Sequence, residues 1–196
     1  MTLVKGNIDR RELLAQLFPD QADWLFVSGL AGASKDSAAL TDDGPNLYTM
    51  AGTMGAAVPM GLGMALAAPE RMVAVINGDG ELLMGIGAFV TVASARPANM
   101  VMVCLDNCMH GETGRQTGHT AATTDLAAIA RGAGIEQVMT ISEPGEIEAA
   151  AAFLRDGQGP KFLHCRVLPT DPSAYKRNMD PAECRVRFRT AFLKAG

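Results

Sequence analysis

The chain reads as a doubly wound α/β fold, a mostly parallel sheet with helices on both faces, and three observations carry that reading. Apolar runs such as 72–76 (MVAVI) and 100–105 (MVMVCL) show no polar alternation, as expected of strands buried on both faces. Segments of helical period stand between these runs, so strands and helices alternate along the chain. Glycine (21), methionine (12) and alanine are plentiful while aromatics make up only 5%, which favours helices lying close on a sheet.

Each element has its own justification. Residues 9–17 (DRRELLAQL) place Leu13, Leu14 and Leu17 at helical spacing. A short strand over 24–27 runs into the loop Ser28-Gly29-Leu30-Ala31-Gly32, and 47–50 forms another strand. Gly52-Thr53-Met54-Gly55 then opens an Ala/Gly-rich helix to about Ala67, ahead of the strand 72–76. The spacing predicts one helix over 81–95, ended by Pro97. After the strand 100–105, residues 106–124 read as a long Gly/Thr-rich loop. Loops of that length are uncommon unless functional or disordered. Thr124-Asp125 caps a helix to about Arg131, 135–141 is a strand, and Pro144 sits in the first turn of a helix to Arg155. The last strand is 161–167, followed by a turn-rich stretch over 169–180 and a helix over 181–193. The expected organisation is a single domain over 1–196, with 169–196 as a C-terminal extension.

At 196 residues the chain can bury a sizeable core as one domain. A net charge of −4 offers no basic field for nucleic acid. No apolar run reaches the length of a membrane span, and the N-terminus lacks a signal-peptide pattern. The four cysteines contain no CxxC pair, so free thiols in a reducing cytoplasm are expected.

The chemistry concentrates at two strand ends. Gly78-Asp79-Gly80 closes one apolar run, and Asp106-Asn107, 27 residues past Asp79, closes the next. Open α/β sheets bind ligands at these carboxyl ends. A carboxylate and a carboxamide oxygen suit a hard cation such as Mg²⁺, which usually shares its shell with phosphates. The glycines let backbone approach a diphosphate, and the N–H groups opening the next helix can bind its oxygens. Alone, Gly-Asp-Gly is a weak signal, compatible with a tight turn and Asp79 as helix cap. Joined to Asp106-Asn107 it is a strong one.

These residues resemble the signature of the thiamin-diphosphate enzymes, in which Gly-Asp-Gly precedes an asparagine by a comparable spacer. The resemblance implies a diphosphate-binding (PP-type) domain that holds thiamin diphosphate and Mg²⁺, with Asp79, the Asn107 side chain and the Met109 carbonyl as metal ligands. Gly78, Gly80, the Glu81 N–H and Gly111 would contact the cofactor, with the Glu81 carboxylate turned away from the diphosphate. Gly52-Thr53-Met54-Gly55 stands where thiamin-dependent decarboxylases place an apolar wedge. Met54 would hold the cofactor bent, while the Gly52 carbonyl accepts from its aminopyrimidine. Ser28 and Gly29 resemble the other half of the diphosphate cradle, although Leu30 replaces a polar contact. The segments GTMGAAVPMGLGMALAAPERMVAVINGDGELLMGIGAF, PANMVMVCLDN, HGETGRQTGHT and RVRFRTAFL narrow the resemblance to phosphonopyruvate and sulfopyruvate decarboxylases, and the chain length to a β-type subunit.

Thiamin enzymes activate their cofactor with a glutamate from a separate pyrimidine-binding domain, and Glu112 lies in the wrong loop for it. The resemblance therefore implies an α-type partner that supplies the glutamate, and a small anionic 2-oxo acid as substrate. His110, Arg115 and His119 surround the reacting centre by this reading. His110 is a candidate for proton transfer, and the planar fork of Arg115 for an anionic substrate group. His164, inside an apolar strand, reads as structural. Arg185, Arg187 and Arg189 read as a solvated helix face or a partner contact. A carboligase, an oxidoreductase subunit and a non-catalytic cofactor-binding subunit share the same domain type.

Overall fold

Strands that are apolar on both sides need cover on both faces, and the computed structural model, which describes residues 6–194, supplies it. In chain order the strands are β1 (Trp24–Ser28), β2 (Leu47–Thr49), β3 (Met72–Gly78), β4 (Met100–Asp106), β5 (Met109–His110), β6 (Gln116–Thr117), β7 (Gln137–Ile141) and β8 (Lys161–Arg166). The helices are α1 (Arg10–Leu17), α2 (Ala31–Thr41), α3 (Ala57–Ala67), α4 (Asp79–Met84), α5 (Ala88–Ala95), α6 (Leu126–Gly132), α7 (Ile147–Arg155) and α8 (Pro181–Lys194). Six strands form one parallel sheet in the order β2-β1-β3-β4-β8-β7, and β5 pairs β6 in a separate antiparallel hairpin.

The helix placement follows from crossover handedness. Connections β1→β2 and β7→β8 run one way across the sheet, and their helices α2 and α7 share a face. There Leu13, Leu17, Phe18, Ala38 and Leu154 pack with Phe26, Ala74, Val101 and Leu163. Connections β2→β3, β3→β4 and β4→β7 run the other way, and α3, α5 and α6 cover the opposite face. A uniform hand for parallel crossovers requires this division. The direction of winding reverses between β1 and β3, so their following loops part toward opposite faces. A crevice opens at that point, beyond Ser28 and Gly78.

Three elements differ from the sequence expectation. Helix α2 occupies residues left within and after a glycine loop. Its buried face is built from Ala33, Ser34, Asp36, Ser37 and Ala38, residues too small or polar to register as an apolar stripe. The single helix over 81–95 is two, α4 and α5, parted at residues 85–87. The break has a steric cause: a Cβ on Gly85 would lie 2.1 Å from the Gly55 carbonyl oxygen. Gly55 itself sits at φ +78°. Two glycine backbones in contact thus dock the Gly52–Gly55 turn on the end of α4. The 106–124 stretch is not structureless either: it folds into the β5–β6 hairpin with short 3₁₀ turns.

The last strand begins with Lys161, whose buried ammonium donates to the carbonyls of Phe153 (2.7 Å) and Asp156 at the end of α7. It closes the negative end of that helix. After β8 the chain passes the cavity with Thr170, Asp171 and Pro172 and then runs along α2. Ser173 N donates to Asp36, Tyr175 Oη to Asp42, and Asn178 N to Asp43, each at 2.8 Å. Helix α8 then packs Cys184 and Phe188 onto the β2 edge, and Arg187 reaches Asp43 at 3.1 Å. Arg185 and Arg189 stay exposed. Among the described residues no helix is long and apolar enough to cross a membrane.

Candidate functional site

The crevice at the winding reversal is a cavity of about 310 Å³. Its walls include Gly78, Asp79, Gly80 and Glu81 from the β3–α4 turn, with Asn107, Met109 and His110 from the segment after β4. The three proposed metal ligands, Asp79, Asn107 and Met109, therefore face one space. So does Met54, 38% exposed, which the Gly55–Gly85 contact presents to the cavity. An aspartate, an amide oxygen and a main-chain carbonyl form a hard-oxygen set that fits Mg²⁺.

Asp79 is set by a buried polar network. Thr120 Oγ1 lies 3.2 Å from Asp79 Oδ2 and donates to Asp106 Oδ1 at 2.7 Å. Asp106 Oδ2 accepts from Arg166 Nη1 and from His164 Nε2, both at 2.8 Å. Parallel register pairs Asp106 with Arg166 across β4 and β8, and Cys104 with His164. His164 and Arg166, two apart in one strand, therefore project on the same face and converge on one carboxylate. Burial alone would raise the Asp106 pKa. The His164 contact and the Thr120 and Arg166 interactions outweigh it, and the carboxyl is held below its ordinary value. Asp79 goes the other way, raised by burial and by the neighbouring Asp106 charge against opposing backbone N–H groups. Two carboxyl groups in one buried pocket repel each other, and a bound cation would relieve that repulsion.

Glycines make room for these side chains. A Cβ on Gly118 would come within 3.0 Å of Asp79 Oδ2, and one on Gly80 within 2.8 Å of His110 Nδ1. The His110 ring lies over the Gly-Asp-Gly turn and lines the cavity. Asn107 Oδ1 accepts from Met109 N at 3.1 Å, and Asp106 Oδ1 from Cys108 N at 2.9 Å, which folds the chain back after β4.

Glu81 does not swing out to solvent. Its carboxylate is buried on the β1–α2 turn, where Oε2 accepts from Leu30 N at 3.1 Å. A Cβ on Gly29 would fall 1.5 Å from Oε2, so a side chain there would displace the Glu81 carboxylate. Burial pushes Glu81 up to about 7, opposed by the backbone N–H groups of Leu30, Gly78 and Gly55.

The remaining sequence candidates are spread unevenly. Gly111 and Arg115 line the cavity at its exposed rim. Arg115, at φ +61°, donates to Asp171 Oδ1 at 3.0 Å and to the Pro169 carbonyl at 2.8 Å, so its fork is already engaged. His119 is exposed, with its ring 6.0 Å from that of His110, and does not line the cavity. Ser28 and Gly29 are buried below the cavity, while Gly52 and Thr53 are exposed beside it. Sequence reasoning missed Thr120, Gly118 and Arg166. A histidine and an arginine two residues apart in an otherwise apolar strand were the available signal for the buried network.

A family model described as "Thiamine pyrophosphate enzyme, C-terminal TPP binding domain" matches residues 34–165. The sulfopyruvate decarboxylase subunit beta of Methanothermobacter thermautotrophicus is 33% identical over 92% of this chain and 94% of its own length. The phosphonopyruvate decarboxylase of Streptomyces hygroscopicus is 36% identical over 90% of this chain, which spans only 43% of that protein. Among solved structures, the 2-oxoglutarate:ferredoxin oxidoreductase of Magnetococcus marinus shares the fold at a TM-score of 0.65 and 17% identity, over 84% of this chain and 62% of its own. The parallel sheet, the Gly-Asp-Gly cavity and these matches together place the chain in the thiamine pyrophosphate enzyme family, by its C-terminal TPP-binding domain.

Proposed function

We propose that this chain is the β subunit of a thiamin-diphosphate-dependent decarboxylase that converts a 3-substituted 2-oxo acid, of the sulfopyruvate or phosphonopyruvate kind, to an aldehyde and CO₂. The observation that carries the reading is the convergence of Asp79, Asn107, Met109 and Met54 on one cavity at the winding reversal. Thiamin diphosphate, when bound, supplies a carbon nucleophile and an electron sink, chemistry that protein side chains lack.

The chain's own residues bind and orient. Asp79, Asn107 and the Met109 carbonyl would hold Mg²⁺ at the strand ends, and the N–H groups opening α4 would bind diphosphate oxygens. Met54, on the cavity wall, would pack against the cofactor and orient it. His110, over Gly80, is placed to pass a proton at the pocket rim. The relatives support a divided enzyme: this chain matches nearly the whole of one β subunit but under half of the fused-length protein. An α-type partner supplies the carboxylate that activates the cofactor, so the lone chain binds cofactor weakly and turns over nothing.

The test is a titration of thiamin diphosphate with Mg²⁺ and with EDTA, followed by assay of the reconstituted pair on 3-sulfopyruvate, 3-phosphonopyruvate and pyruvate. Metal-dependent binding and turnover only in the pair are expected. Robust decarboxylation by the lone chain would sink the divided-enzyme reading.

A further inference from the structure

Arg10 opens α1 yet is only 4% exposed, and it is the cation most deeply set in the cavity wall. Its Nε donates to Asp36 Oδ2 at 2.7 Å, and Asp36 Oδ1 is held in turn by Ser173 N at 2.8 Å. That bracing uses one edge of the guanidinium. Neither Nη nitrogen has a hydrogen-bond partner among the described residues, and Arg10 lines the cavity. The plane lies against the first turn of α2: a Cβ on Gly32 would sit 2.5 Å from Nη2 and 3.0 Å from Nη1. The α2 N-terminus has no side-chain cap, and its Leu30 N–H is taken by Glu81. Lys35, one turn along α2, lines the same cavity half-buried, with no ion-pair partner among the described residues.

A guanidinium pinned at Nε presents its two Nη groups as a fork that matches two oxygens of one tetrahedral anion. The α2 N-terminus beside it adds to the same field, offset in part by the Glu81 carboxylate on the Leu30 N–H. We propose that Arg10, braced by Asp36 and seconded by Lys35, is an oxyanion receptor that takes a phosphate, sulfonate or phosphonate group entering this cavity. Two sources share that chemistry: the terminal phosphate of the cofactor, and the distal anionic group of the substrate. The second source rests on the decarboxylase reading above; the receptor itself does not. Arg115, committed to Asp171 and Pro169, is the poorer candidate for this role.

Calorimetric titration of the full chain separates the cases. Three probes are used: inorganic sulfate and thiamin diphosphate with Mg²⁺ on the chain itself, and sulfoacetate added to the cofactor-loaded reconstituted pair. Arg10→Met should weaken at least one of them roughly tenfold or more, and Lys35→Met by about threefold, the scale of a charged hydrogen bond and of a half-exposed charge. Weakened thiamin diphosphate binding identifies the phosphate source. Weakened sulfoacetate with cofactor binding unchanged identifies the substrate source. Gly32→Ala keeps the charge but fills the space against the fork, and should lower affinity for the same probe. Should Arg10→Met fail to fold by circular dichroism, Gly32→Ala and Lys35→Met decide. Unchanged affinity for every probe in the folded variants, or no binding of any probe by the wild type, overturns the proposal. Sulfate binding that depends on Arg10 in a chain whose reconstituted pair decarboxylates nothing would overturn the decarboxylase reading and leave the receptor standing.

Discussion

The floor and the rim of the cavity are built on different terms. On the floor, Asp79 and Asp106 are almost wholly buried, and Thr120, His164 and Arg166 hold them at distances of 2.7–3.2 Å. At the rim, Glu112 and Arg115 are exposed, and the Arg115–Asp171 ion pair has side chains 53% and 87% accessible. A buried network of this kind is costly to assemble and strongly directional once assembled, because every unpaired member would bear its full desolvation cost. An exposed pair is worth little. The molecule therefore carries a preorganised polar floor beneath an open, weakly held rim.

The largest expected effect tests the floor directly. Asp79→Ala should reduce Mg²⁺-dependent thiamin diphosphate affinity by roughly a hundredfold or more, while leaving the fold intact. Metal-independent binding, or an unchanged constant, would reject the site. Asp106→Ala leaves His164 and Arg166 facing an empty position, and should cost about 3–5 kcal/mol in urea denaturation. A loss below about 1 kcal/mol would show that the network is far looser than its distances suggest. Gly118→Ala crowds Asp79 Oδ2 and the Cys108 backbone at 3.0 Å, so metal-dependent affinity should fall by about tenfold, with a stability loss of about 1–3 kcal/mol.

The pH dependence of the metal-free chain is a finer probe. Glu81 titrates near 7 in the fold against an ordinary 4.5, and Asp79 is also raised. A raised carboxyl contributes stability that is fully present below its unfolded value and lost as pH rises through the folded one. Thermal melts should therefore shift downward between about pH 5 and pH 8, and Glu81→Gln should flatten the shift. Asp106, held low, acts only in more acidic solution and leaves this window alone. A melting temperature that climbs across the window would contradict the burial of both groups. The smallest effect belongs to the rim. Arg115→Ala should change stability by under about 1 kcal/mol, and a larger loss would mean that the rim is as firmly built as the floor.

Legibility in the sequence follows the same division. Strand cores and the strand-end motifs could be read because they are local: an apolar run, a turn glycine, an acidic residue at a run's end. The Glu81 side chain could not, because its direction depends on Leu30 and Gly29, which lie about 50 residues away and meet it only when β1 and β3 pair. Helix α2 was hidden because its buried face is made of alanine, serine and one aspartate whose burial makes sense only beside Arg10. The break between α4 and α5 needed the Gly55–Gly85 contact, which no local pattern announces.

By itself, then, the sequence determined the alternation of strands and helices, the polar residues closing two strand ends and the glycine-flanked Met54, since each is set by neighbours along the chain. Only the tertiary structure decided that Asp106 would serve Asp79 through Thr120, that Arg166 would sit opposite Asp106, and that Arg10 would turn its free edge into the cavity. Those are properties of register and of crossover hand. They bring together residues up to 60 positions apart, and the low dielectric of the interior then gives such pairings their strength.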